Sequence, residues 1–293
     1  MKGNSTLVIG ASGLIGGYLY RFLRQAEQKP IGTFSSNRKE GMFHFDLIDS
    51  SLDSLPLDNV KHAVICSAIA KVDKCREDPY LSRRVNVAGV ERAIIYFSER
   101  GILPVFFSSA AVFDGISGNY KETDIKNPTT FYGKQKADVE DFIIKYISEH
   151  LIIRPGKVFG LSPREGVLFA DWLNKYKKGE EIRCADDEKL SPIYAGDVAR
   201  GLHVLLEKNT KGIYHMNPQQ HYSRFEMAAK FFDYLGIKDA KITRCSIDDF
   251  NLLEKRNKNT YLDSSKFIKE TGFKFTSLED CFDIIKNNYS FRT

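Results

Sequence analysis

The run Gly10-Ala11-Ser12-Gly13-Leu14-Ile15-Gly16 constrains this chain more than any other stretch. It directly follows the β-prone residues Thr6-Leu7-Val8-Ile9, and Tyr18–Gln25 after it reads as helix. A strand, a glycine turn and a helix N-terminus form a cradle for a dinucleotide pyrophosphate. Gly10 allows the tight turn, Gly13 lets backbone approach the phosphates, and Gly16 lets the helix pack close to the strand. The order is G-x-x-G-x-x-G rather than G-x-G-x-x-G, so its weight comes from its place directly after the first strand.

The segments that follow alternate between strand and helix. Pro30–Phe34 reads as the second strand. A carboxylate at its end would hold an NAD ribose. Here the sequence is Ser35-Ser36-Asn37-Arg38-Lys39, and hydroxyls with an arginine suit a 2′-phosphate, so NADP(H) is favoured and NAD(H) is the second candidate. Phe43–Leu47 reads as the third strand, with Asp46 at its end on the adenine side. Val60–Ile65 reads as the fourth and ends in the small residues Cys66-Ser67-Ala68, which would let a cofactor cross the sheet edge. Asp78-Pro79 opens a long helix to about Arg100, closed by Gly101. Pro104–Phe107 is a fifth strand and Leu151–Pro155 a sixth. This alternation predicts an α/β fold: a doubly wound parallel (Rossmann) sheet with a smaller C-terminal α/β lid. The sheet domain is expected over 1–155 plus about 190–216, and the substrate-binding lid over 156–189 plus 217–293. In the later part, helices are expected over Val167–Lys178 and from an Asp197 cap to Glu207. Short strands are expected at Ile182–Ala185 and Gly212–Met216, and capping boxes at Ser223/Glu226 and Ser277/Asp280.

Between the fifth and sixth strands lies the stretch with chemical content. Phe106-Phe107 is stopped by Ser108-Ser109, and Thr130–His150 reads as a helix carrying Tyr132 and Lys136. Four residues apart, the phenol and the ammonium share one helical face. Beside a serine at a strand end they would make a carbonyl-reducing site. Lys136 would lower the phenol pKa so that Tyr132 exchanges a proton, and Ser109 would hydrogen-bond the substrate oxygen. Tyr-x-x-x-Lys alone arises often on amphipathic helices, so its force depends on the glycine cradle before it.

Composition excludes other classes. The net charge of +5 over 293 residues comes from lysines that are spread rather than clustered, which argues against a nucleic-acid partner. Five cysteines, odd in number and without C-x-x-C, suggest neither a disulfide framework nor a zinc site. The six histidines show no H-E-x-x-H, and no bound metal is expected. No stretch approaches the roughly 20 apolar residues of a membrane span, and no signal peptide is visible, so a cytoplasmic protein with no membrane partner is expected.

Several separated motifs agree with one another. They are G-A-S-G-L-I-G at 10–16, V-D-K-C-R-E-D-P at 72–79, S-S-A-A-V-F-D-G at 108–115 and Y-G-K-Q-K at 132–136. R-P-G-K-V-F-G at 154–160, S-P-I-Y-A-G-D-V-A-R at 191–200, G-I-Y-H-M at 212–216 and L-D-S-S-K at 262–266 continue the series. In order and spacing the chain resembles the extended short-chain dehydrogenase/reductase family, and within it the branch containing dTDP-4-dehydrorhamnose reductases. The resemblance implies reduction of a keto group on a nucleotide-activated sugar, in polysaccharide biosynthesis, by a protein that can form a homodimer. It implies Tyr132 as proton donor, Lys136 as its partner and ribose anchor, and Ser109 as the carbonyl-orienting hydroxyl. Gly10, Gly13 and Gly16, with Ser12, Leu14 and Ile15 of the same turn, would hold the pyrophosphate. Ser35, Arg38, Asp46, Leu47, Ser67, Ala68 and Ala70 would complete the cofactor site, and Asn86 would brace the helix beside the nicotinamide. The chain departs from the branch where Ser109-Ala110-Ala111 replaces Thr-Asp-Tyr and Lys157 replaces Trp. Specificity is therefore expected at Ala110, Ala111, Val112, Phe113, Lys157 and the loop Ser162–Gly166. Two other functions fit the same motifs: an epimerase or dehydratase with tightly held NAD(P), and a non-catalytic NADP-binding regulatory subunit.

Overall fold

The computed structural model describes residues 5–162, 165 and 168–289. The first half runs β1 (Ser5–Ile9), α1 (Leu14–Gln25), β2 (Ile31–Phe34), β3 (Phe43–His44), β4 (Val60–Ile65), α2 (Val72–Glu77), α3 (Pro79–Arg83), α4 (Val90–Glu99), β5 (Leu103–Phe107) and α5 (Phe131–Tyr146). The second half runs β6 (Leu151–Pro155), β7 (Lys157–Phe159), α6 (Phe169–Lys177), β8 (Ile182–Ala185), β9 (Lys189–Leu190), β10 (Pro192–Tyr194), α7 (Ala195–Glu207), β11 (Gly212–Met216), β12 (Tyr222–Ser223), α8 (Arg224–Tyr234), β13 (Ile242–Cys245), α9 (Ser265–Thr271) and α10 (Leu278–Asn288). Seven strands form one parallel sheet in the order β11-β6-β5-β4-β1-β2-β3. No described helix is long and apolar enough to cross a membrane.

The sheet is covered on both faces, and most of its strand positions are apolar, as suits a buried parallel sheet, with Thr6, Thr33, His62, Arg154 and His215 as buried polar residues among them. Leu7, Ile9, Ile65, Phe106 and Ile152 point to one face and meet Ile94 and Phe97 of α4 and Val139 and Ile143 of α5. Val8, Val64, Val105 and Ile153, the alternate positions, point to the other and meet Leu19 and Leu23 of α1 and Leu202 and Leu205 of α7. Each fully buried side chain of this size contributes roughly 1.5–3 kcal/mol. The smaller unit has its own aromatic core, with Phe169 and Trp172 of α6, Phe231 of α8 and Phe282 of α10. α9 does not join it. Phe267 presses on Gly201 beside Met216, on the sheet's second face, so this part of 217–293 packs on the sheet rather than in that aromatic core.

Several local expectations change. The helix expected over 78–100 is α3 and α4 joined through a π-helical segment at Arg84–Gly89, and α2 precedes it unforeseen. β3 stops at His44, because the Asp46 carboxylate accepts from Ile48 N at 2.8 Å and turns the chain. Tyr194, not Asp197, caps α7; Asp197 is buried inside its first turn, where it accepts from Thr276 N at 2.7 Å and pairs with Arg200. α5 stops at Tyr146, and α6 starts at Phe169; Val167, the expected start, lies outside the described residues. The capping box Ser223/Glu226 is complete, with both hydrogen bonds present.

Candidate active site

β5 ends at Phe107, and Ser108-Ser109 carry the chain off the sheet in extended backbone. The Ser109 hydroxyl accepts from Ala111 N at 3.1 Å and opens a single turn at Ala110–Val112. α5 lies directly against that turn. A Cβ on Gly133 would stand 2.2 Å from the Ala111 carbonyl oxygen, so glycine is what permits the contact. Thr130 caps α5 by accepting from Gly133 N. These constraints put Tyr132, half-buried, in the first turn of α5 within hydrogen-bonding reach of the Ser109 hydroxyl. Lys136 follows one turn later. It is 4% exposed, and its Nζ donates to Phe107 O at 2.8 Å and lies 5.8 Å from the Tyr132 ring centroid.

Burial pushes the Tyr132 phenol up to about 12, Cys75 adds to the rise, and the Ser109 hydroxyl opposes it. The expected lowering by Lys136 is therefore not what the structure shows. The ammonium is engaged by the Phe107 carbonyl, and burial pushes Lys136 itself down to about 8, against the opposing pull of Cys66 and Glu140. At neutral pH the phenol thus keeps its proton and Lys136 its charge. That is the state from which a tyrosine gives a proton to a developing alkoxide.

The cradle has the tolerances of a phosphate site. Gly10 has φ +84°, and a Cβ there would meet Ser67 Oγ at 2.5 Å. A Cβ on Gly16 would stand 2.3 Å from Gly10 O. Gly13 precedes α1, and no side chain caps that helix, a helix N-terminus of the kind that suits an anion. A cavity of about 450 Å³ beside this turn is lined by Ser12, Gly13, Leu14, Arg21, Asn37 and Lys39, among others. Asn37 Nδ2 donates to Ser12 O at 3.4 Å and ties the β2 loop to the turn. Ser35 is held by Asp46, to which it donates at 2.9 Å, and Arg38 does not line the cavity. Of the loop Ser162–Gly166, residues 163, 164 and 166 lie outside the described residues. Glu165 accepts from Tyr18 Oη and lines the same cavity.

The residues expected to set specificity divide. Ala110, Val112 and Phe113 are buried with Tyr120, on which Phe113 stacks at 4.4 Å, so these three form a wall behind Ser109. Lys157 instead stands exposed in a second cleft of about 550 Å³, which Ala70 also lines. Among the described residues no three His, Cys, Asp or Glu side chains gather as metal ligands.

The model of the RmlD substrate binding domain family matches residues 4–288. The chain belongs to that family. Among curated RmlD-like relatives it is 26% identical over 285 residues to the Haloferax volcanii protein named "Probable low-salt glycan biosynthesis reductase Agl14", covering 93% of this chain and 94% of that one. It is 27% identical over 285 residues to the dTDP-4-dehydrorhamnose reductase of Aggregatibacter actinomycetemcomitans, covering 92% and 93%. It is 25% identical over 280 residues to methionine adenosyltransferase 2 subunit beta of Xenopus tropicalis, covering 92% and 83%. Among solved structures, a "hypothetical dTDP-4-dehydrorhamnose reductase" from Sulfolobus tokodaii superposes with a TM-score of 0.83 at 28% identity, covering 94% and 98%. The Bacillus anthracis dTDP-4-dehydrorhamnose reductase in complex with NADP gives 0.84 at 23%, covering 97% and 98%.

Within this RmlD-family chain, several site residues carry no signal that sequence reasoning used. Glu254 accepts from Phe131 N at 2.8 Å and steadies the start of α5, and Asn257 donates to Phe113 O at 2.7 Å. Arg21 reaches the cradle from α1, one turn beyond Gly17, a spacing that could have been read from the helix period. Asn86, expected to brace its helix, accepts from Ile69 N, donates to Ile69 O and donates from Nδ2 to Gln135 Oε1 at 2.8 Å. It thus ties the loop after β4 to α5.

Proposed function

We propose that this chain reduces a keto group on a nucleotide-activated sugar with NADP(H), in the manner of a dTDP-4-dehydrorhamnose reductase. The observation that carries the reading is the meeting of Ser109, Tyr132 and Lys136 at the end of β5, one strand away from the glycine cradle on β4's other side. Bound reduced cofactor would supply the hydride. Ser109 donates a hydrogen bond to the substrate oxygen, Tyr132 gives that oxygen its proton, and Lys136 holds a positive charge beneath the phenol. Gly10, Gly13 and Gly16 would hold the pyrophosphate. Arg21 and Lys39, with Asn37, support a 2′-phosphate and so favour NADP(H) over NAD(H). The test is to titrate NADPH and NADH and then follow cofactor oxidation with a panel of keto-sugar nucleotides. Turnover with NADPH is expected, and a clear NADH preference would remove the phosphate assignment.

The similarity to methionine adenosyltransferase 2 subunit beta supports a second reading, a cofactor-binding regulatory subunit. Its signature would be tight NADP(H) binding with no turnover on any keto-sugar.

A further inference from the structure

Resting on the nucleotide-sugar reading, we propose that the second cleft takes a nucleotide sugar whose sugar unit carries a carboxylate, and that Lys157 recognises that carboxylate. The cleft is walled by the segment after β4 on one side and by β7, α6, β8, α8 and residues 247–256 on the other. Seven cationic side chains and four carboxylates line it. Each carboxylate is already ion-paired to a cleft cation, as Asp73 is to Arg256 at 2.8 Å and Glu188 is to Arg224. Three cations, Lys71, Lys157 and Arg183, have no carboxylate partner among the described residues. The diphosphate bridge of a sugar nucleotide brings two negative charges. One positive charge is then left over, and a cleft with an excess of one sign of charge attracts a further anion.

Lys157 is the residue placed to use it. It lies two residues beyond β6, the strand hydrogen-bonded in parallel to β5, and so leaves the sheet at the same edge as Ser109. It makes no side-chain hydrogen bond or ion pair among the described residues, whereas Arg183 donates to Asp249 O and lies over Phe250. Enclosure in the cleft, then the like charges of Arg224 and Arg256, push its ammonium down to about 8, with Glu188 opposing. This is a cation crowded by others of its sign. An incoming carboxylate would relieve that repulsion, whereas a neutral hydroxymethyl group would not.

The test is calorimetric titration of the full chain, in the presence of NADP, with UDP-glucuronate against UDP-glucose, and with the corresponding pair of dTDP sugars. The acidic sugar is expected to bind about tenfold or more tightly, the scale of one charge-assisted hydrogen bond. Lys157→Gln should abolish the preference while retaining affinity for the neutral sugar, and Lys157→Arg should keep most of it. Equal affinities in the wild type would overturn the proposal. So would an equal loss for both sugars in Lys157→Gln, which would put Lys157 on the diphosphate. Failure of UDP and dTDP themselves to bind would instead overturn the nucleotide-sugar reading beneath it.

Discussion

The corner of Ser109, Tyr132 and Lys136 and the basic cleft are built in opposite ways. The corner takes its residues from two neighbouring elements, the end of β5 and the first two turns of α5, locked together by the glycine contact of Gly133 on Ala111. Its geometry has one solution, because backbone approach sets it. The cleft draws its charged residues from several separate segments, and ion pairs rather than backbone contacts hold them. Such pairs are individually weak and replaceable. Under the proposed function, the difference would fix the chemistry by the fold and leave substrate choice free to vary on the same frame.

The sharpest way to break this contrast is to remove the phenol. Tyr132→Phe keeps the ring and its packing, so folding and NADP binding should survive while turnover falls about 10²–10⁴-fold. Steady-state kinetics on an active keto-sugar would check it, and near-normal turnover would mean that the corner is not the site.

Next in size is the contact that closes the corner. Gly133→Ala must displace the Ala111 carbonyl, which as backbone cannot swing aside. We expect about 1–3 kcal/mol of lost stability, and a larger loss of activity than of cofactor affinity. Thermal unfolding and kinetics on one preparation would show both.

At the cradle, Arg21→Ala or Lys39→Ala should each weaken NADPH about tenfold and leave NADH nearly unchanged. Equal losses for the two cofactors would place these cations on the pyrophosphate instead.

The pH profile sharpens the electrostatic side. Lys136 is cationic below about 8 and neutral above, while Tyr132, raised to about 12, keeps its proton throughout. The reduction rate should therefore hold below pH 8 and decline above it. In Lys136→Met the step near 8 should vanish along with most of the rate.

The smallest expected effect is at the junction. Glu254→Gln leaves an acceptor for Phe131 N but removes its charge, and should cost about 0.5–1.5 kcal/mol in chemical denaturation.

Legibility in the sequence follows the same division. The glycine turn, the strands from β1 to β6 apart from the end of β3, and the Tyr132–Lys136 spacing are readable, because each rests on local spacing: apolar runs, turn glycines and a helical period. β11 was readable as a strand returning to the sheet. What was not readable depends on residues far apart in the chain. Glu254 meets Phe131 across 123 positions, and Arg224 meets Glu188 across 36. Phe267 carries no mark that sends α9 to the sheet rather than to the aromatic core. The sign of the Tyr132 shift was misread for a related reason. The i, i+4 spacing put Lys136 near the phenol, but only the fold shows its ammonium engaged by the Phe107 carbonyl and both groups enclosed. The π-helical segment at Arg84–Gly89 was hidden too, since its sequence has an unbroken helical pattern. A Cβ on Gly89 would come 2.7 Å from Leu47 O, so that helix is seated by a contact that no local pattern records.

The most direct test of the central claim is a stoichiometry. The full chain would be incubated with NADPH and a nucleotide-linked 4-keto sugar, and the cofactor oxidised would be counted against the sugar product formed. The account predicts one NADPH consumed per hydroxyl made, with both suppressed together in Tyr132→Phe. Sugar converted without net loss of NADPH, or NADPH bound tightly with no conversion of any keto-sugar, would contradict it.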